Sequence, residues 1–245
     1  MRTSNPALNE NAFNERLAIG EERMTIQGAV NKTAILLVLA MVAAVFTWQK
    51  FRVNPAGAMP LVLGGAIGGF IVGLVTVFKK TWAPMTAPIY ALCEGLLIGG
   101  ISAFYEAKFQ GIVLQAGMLT FGTLFALLVA YRSGIIRATE NFKLGVVAAT
   151  GGIAILYLVT WVLGMFGVNV GFMHNSGMLS IGISAFVVVV AALNLVLDFD
   201  FIEQGAEVGA PKYLEWYAAF GLLVTLVWLY LEILRLLAKL SSRRD

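Results

Sequence analysis

The chain has 245 residues, of which 59% are hydrophobic and only 13% charged, with a formal net charge of +3 at neutral pH. Soluble domains run at about 25% charged residues, so this composition is that of an integral membrane protein. The positive charge is spread through loops and gives no case for nucleic-acid binding, which needs a clustered basic face. A lone cysteine, Cys93, rules out an intrachain disulfide, and with a lone histidine, His174, the usual zinc and haem sites lack ligands.

Residues 1–23 are polar and carry both signs of charge, without the basic start, apolar core and small-residue cleavage site of a signal peptide. They are expected to form a cytosolic tail able to order as a short surface helix. A membrane span needs about 20 apolar residues. Seven windows fit: 34–48, 58–78, 84–105, 112–131, 144–167, 178–197 and 214–238. The first is the shortest and is expected to start near Met24, with Lys32 snorkelling or facing protein. The expected architecture is an all-α, polytopic seven-helix bundle over 24–240, followed by a short basic tail, 241–245, with no room for a separate soluble domain.

The second window holds Gly64, Gly65, Gly68, Gly69 and Gly73, and the third holds Gly95, Gly99 and Gly100. Small residues at this spacing let helix backbones approach closely in lipid. Packing within the chain is the simpler use; a homodimer through the Gly64 face is the alternative, and the oligomeric state stays open. Pro88 is the proline placed to kink a span, and the Glu207–Lys212 stretch, with Gly209 and Pro211, reads as the link between spans six and seven. With the N-terminus inside, Arg16, Arg23, Lys32, Lys79, Lys80, Arg132, Arg137, Lys143 and Lys212 lie on the inner side, against Lys50, Arg52, Lys108, Lys239, Arg243 and Arg244 outside. This biases the N-terminus inward, although the basic C-terminal tail conflicts with seven crossings unless a late segment only dips into the membrane.

Acids within apolar stretches carry the functional signal, because a carboxylate in hydrocarbon costs several kcal/mol unless protonated, paired or wetted. Asp198 and Asp200 close the sixth stretch, about 200° apart around a helix, so one is expected to face inward and the other the headgroups. At a helix C-terminus both would oppose the macrodipole. Glu232 lies inside the seventh stretch with Arg235 three residues on, a spacing that allows a local ion pair. The other reading pairs it with a span-six acid: two close carboxylates share a proton, titrate as a coupled pair, and attract a hard cation such as Ca²⁺ when ionised. Asn194, four residues before Asp198, shares its face and is a candidate partner for it. Glu94 is mid-span, either neutral and hydrogen-bonded at a glycine-lined contact or part of a permeation or proton-relay path. Lys79 and Lys80 are inner-side anchors that could also neutralise an acid at the inner mouth. Cys93 reads as apolar filler and His174, in GFMHNSG, as a solvated loop residue. No phosphate loop, HExxH or GxSxG occurs, and span Ser and Thr have no His partner, so nothing argues for an enzyme or a bound cofactor.

LNLVLDFDFIEQGAE at span six and WLYLEILRLL at span seven resemble the Bax inhibitor-1 superfamily, the transmembrane BAX inhibitor motif proteins; MTIQGAVNKTAILL and EGLLIGGISAFYE are similar to its bacterial branch. The resemblance covers about residues 24–240. It implies seven helices with one at the centre, and a pH-sensitive Ca²⁺ leak whose sensor is a proton-sharing acid pair from helices six and seven beside an Arg ending helix two. By motif match the pair is Asp198 and Glu232, which would also be the Ca²⁺-attracting acids, and the Arg position is occupied by Lys79 or Lys80. Three departures stand out: Glu for Asp, Lys for Arg without its planar clamp, and a separation of Asp198 from Glu232 that implies an enlarged connection between helices six and seven. The expectation is a pH-gated cation leak or channel in a bacterial inner membrane, with the bilayer, Ca²⁺ and H⁺ as its partners. The alternatives are a non-transporting regulator that binds a membrane protease or similar partner through its N-terminal tail, and a proton-coupled transporter using Glu94.

Overall fold

A computed structural model describes residues 22–166 and 177–243. His174, nearly all of the N-terminal tail and the last two residues lie outside the described residues. Seven long helices follow one another: α1 Ile26–Val53, α2 Pro55–Phe78, α3 Ala83–Lys108, α4 Ile112–Arg132, α5 Glu140–Met165, α6 Met178–Glu207 and α7 Leu214–Ser241. All are long and apolar enough to cross a membrane. At 28 residues, α1 and α7 each reach about 42 Å, longer than a hydrocarbon core of about 30 Å, so they extend into the headgroups or tilt.

Local chemistry sets several boundaries. Thr25 caps α1 by accepting from Gly28 N at 2.9 Å, and Asn54 caps α2 by accepting from Gly57 N at 3.0 Å, with Pro55 in the first turn. Gly209 turns the chain out of α6 with a φ of 64°, a conformation that favours glycine. The short link of residues 208–213 leads straight into α7. The enlarged connection between helices six and seven is therefore not present. Instead α6 runs ten residues past its apolar window, where Asp200 and Glu203 find partners in Lys143 and Tyr131. Asp198 and Asp200 thus lie well before the helix end, and the expected clash with the macrodipole does not arise.

The bundle is built around α7, which packs against α1, α3, α4 and α6. Of its apolar window 61% is buried, against 11% for α5, which packs on α6 at the periphery. The glycines serve packing within the chain. A Cβ at Gly95 would lie 2.2 Å from Ala40 O, one at Gly99 2.2 Å from Ala44 O, and one at Gly65 2.6 Å from Cys93 O, whereas Gly64 faces open space. The backbones of α1 and α3 touch, and only the missing side chains permit it.

Gly99→Ala is expected to destabilise the protein by about 1–3 kcal/mol through overpacking against the α1 backbone, read as a lower unfolding midpoint in detergent. Gly64→Ala, with nothing to collide with, should leave that midpoint equal or slightly higher.

Candidate functional site

Helices α6 and α7 run antiparallel, and two contacts set their register. Lys239 Nζ donates to Ser184 Oγ at 2.8 Å, and Thr225 is the hydrogen-bonding neighbour of Asp198. Fourteen residues separate Ser184 from Asp198 on α6, and fourteen separate Lys239 from Thr225 on α7. Asp198 therefore sits level with Thr225 in the middle of the seam. It is 3% exposed, its Oδ2 has no hydrogen-bond partner, and no cation pairs with it among the described residues. Thr225 Oγ1 donates to Gly221 O at 3.2 Å, the usual way a buried helical threonine satisfies its proton.

Glu232 lies seven residues beyond Thr225, about 10 Å along α7. The structure does not bring it to Asp198. Its carboxylate is 2% exposed and fully engaged: Tyr157 on α5 donates to Oε1 at 2.8 Å, and Arg235 Nη1 donates to both oxygens at 3.0 Å. Arg235 Nη1 also reaches the Tyr157 oxygen at 2.8 Å, with the guanidinium over the Tyr157 ring at 5.4 Å. The local ion pair is thus the geometry realised, and the register of the motif match, which placed the second sensor acid at Glu232, is two turns off the residue that meets Asp198.

The other candidates separate in the same way. Asp200 pairs with the buried Lys143 of α5 at 2.8 Å and accepts from Gln204, so its charge is met within the protein. Asn194 turns away from Asp198: its amide donates to Thr150 Oγ1 and Val190 O, both at 2.8 Å, bridging α6 to α5. Lys79 is exposed at the end of α2, while Lys80 sits with its ammonium 5.6 Å from the ring of Tyr217, two turns from Thr225 on α7. Glu94 is half-buried between α2 and α3, hydrogen-bonded to Tyr90 and lying against Gly69. Cys93 lies against Gly68 in the same contact. No three His, Cys, Asp or Glu side chains converge into a metal cage among the described residues.

One acid that the sequence did not single out is Glu215, 1% exposed at the start of α7. It accepts from Thr25 N at 3.0 Å and Thr25 Oγ1 at 2.9 Å and pairs with Lys32 at 2.6 Å. Gly28 leaves room for it; a Cβ there would stand 1.9 Å from Oε1. Beside it, Met24 N donates to Ala210 O at 2.7 Å and Lys212 N to Glu22 O at 3.0 Å, fastening the chain before α1 onto the link between α6 and α7. In that link Lys212, outside the spans, has its ammonium pushed up by the carboxylate of Glu22. A signal was present in the sequence: Lys32 early in an apolar stretch requires a counter-charge, and Glu215 is the first acid of the last helix.

A seven-helix bundle wrapped on its last helix, with a buried acid from the sixth against it, agrees with a match of residues 5–242 to the sequence model of one membrane-protein family. The chain belongs to the Bax inhibitor 1 like family. No curated protein and no solved structure matches it. In this Bax inhibitor 1 like protein the residue on α7 that meets the α6 acid is a threonine, so the seam holds one carboxyl rather than two.

Glu215→Ala should destabilise the fold by about 3 kcal/mol, because it strands Lys32 and two Thr25 donors. An unfolding midpoint in detergent equal to that of the unaltered protein would rule out this anchoring role.

Proposed function

We propose that this chain is a proton-sensitive leak for cations, Ca²⁺ foremost, gated at the α6–α7 seam by Asp198 with Thr225 as its partner. The observation that carries the reading is the burial of Asp198 against the central helix with one oxygen unpartnered and no cation beside it. Such a group is tolerable when neutral and expensive when charged. With its own proton directed to Gly221, Thr225 offers its oxygen as an acceptor. A protonated Asp198 can donate to it and hold the two helices together. Loss of that proton leaves a buried charge that the one Thr225 hydroxyl can meet with at most a single hydrogen bond, so water or a cation is needed to stabilise it further. Separation of the helices admits both, and a hard carboxylate favours a hard cation. Proton binding and helix separation are then linked, so rising pH shifts the population toward the leaking state. Membership of the Bax inhibitor 1 like family supports a membrane role of this kind. The bias of Lys and Arg between loops supports a cytoplasmic N-terminus, with the bundle on this reading in a bacterial inner membrane.

The single-carboxyl seam differs from a two-acid sensor in what each substitution does. In proteoliposomes, Asp198→Asn should abolish the rise in Ca²⁺ flux between acidic and alkaline pH, because an amide cannot ionise. Glu232→Gln should retain that pH step while lowering the unfolding midpoint, since Arg235 loses its buried partner. A pH step unchanged in Asp198→Asn overturns the proposal; a step lost equally in Glu232→Gln restores the coupled pair.

A further inference from the structure

At the end of the bundle opposite Glu215, a cavity of about 920 Å³ opens between the last turns of α3, α5 and α7 and the first turns of α6. Its lining contains three cations, Lys108, Arg235 and Lys239, and no carboxylate. Glu232 is buried behind Arg235 with both oxygens engaged and balances its charge, while Glu106 is turned to the backbone amides of Gly111 and Val113. Each cation is held with donors to spare. Among the described residues Arg235 donates through Nη1 alone, and its side chain is 40% exposed. Lys239 is steered by Ser184 Oγ at 2.8 Å, and the ammonium of Lys108 lies 4.3 Å from the Phe104 ring without an acidic partner among the described residues. Uncompensated positive charge along a cavity wall attracts an anion, and it repels the cations that the seam at Asp198 would pass.

The walls identify what kind of anion. The rim carries Phe104, Trp161 and Met165, which are 44%, 64% and 70% exposed on the outer surfaces of α3 and α5, where lipid is the solvent. The rim of the cavity therefore meets the lipid side of α3 and α5 near their last turns, where a span passes into the headgroups. Aromatic residues beside Lys and Arg at that depth suit a headgroup with its chains leaving along the bundle.

We propose that this vestibule binds the phosphate headgroup of an anionic phospholipid, with Arg235 as the fork on the phosphate and Lys108 and Lys239 supplying the charge that selects anionic over zwitterionic lipid. Lys108 takes no part in the two contacts that set the α6–α7 register, so its replacement tests this site apart from the gate.

The test uses the whole protein in nanodiscs of phosphatidylcholine alone or with phosphatidylglycerol, with bound lipid counted by native mass spectrometry and unfolding followed by temperature. The unaltered protein should retain phosphatidylglycerol preferentially and unfold several degrees higher in its presence. Lys108→Gln, which removes an ammonium touching only a ring, should weaken that retention about fivefold, and adding Lys239→Gln should weaken it about as much again. An unfolding midpoint in phosphatidylcholine equal to that of the unaltered protein shows that the variants fold. Equal retention of the two lipids, or equal retention of phosphatidylglycerol by the protein and Lys108→Gln, overturns the site. Stabilisation by inorganic phosphate without any lipid preference overturns the lipid as its source. The pH step in Ca²⁺ flux should persist in Lys108→Gln, so this proposal and the gate fail separately.

Discussion

In hydrocarbon a charge or a hydrogen-bonding group has no water to turn to, and α7 is where this chain meets that constraint. The helix carries Glu215, Thr225, Tyr230, Glu232, Arg235 and Lys239 along its length. Nearly every one is satisfied by a different neighbour: Glu215 by α1, Tyr230 by Ser102 on α3 at 2.7 Å, Glu232 by Tyr157 on α5, and Lys239 by α6. A helix whose polar groups are distributed to four partners must sit in the middle of them. The central position of α7 follows from its polar side chains as much as from its apolar ones.

The same constraint makes Asp198 conspicuous. Glu215 and Glu232 each have a cation in contact, and Asp200 has Lys143. Asp198 has a hydroxyl and apolar packing. Where those three acids each have a cation, Asp198 has none, and that difference is what the proposed proton-sensitive gate rests on. The two ends of the bundle are built differently from this seam. One is tied by Glu215 and the backbone clasp between residues 22–24 and 210–212, and at the other three cations line a cavity.

Much of the architecture was legible in the sequence. Seven apolar windows became seven helices, because a run of about 20 apolar residues has few other fates. Caps and turns came from local chemistry at Thr25, Asn54 and Gly209. The acids were legible as exceptions to that apolar background, and the Glu232–Arg235 spacing already contained the ion pair that forms. The extension of α6 to Glu207 was not legible, since polar residues end an apolar window but end a helix only when they lack partners.

What the sequence by itself determined was therefore the membrane fold class, the number of helices and the presence of acids that need company. Each of these depends on composition and on spacing within one segment. Which acid meets which partner was decided only by tertiary structure. The register of α6 on α7 brings Thr225 to Asp198 and leaves Glu232 two turns away. That register depends on how whole helix surfaces interlock, including the touching backbones at Gly95 and Gly99 that position the neighbours of α7. A shift of two turns changes no residue's spacing within its own helix, so no pattern within either segment records it.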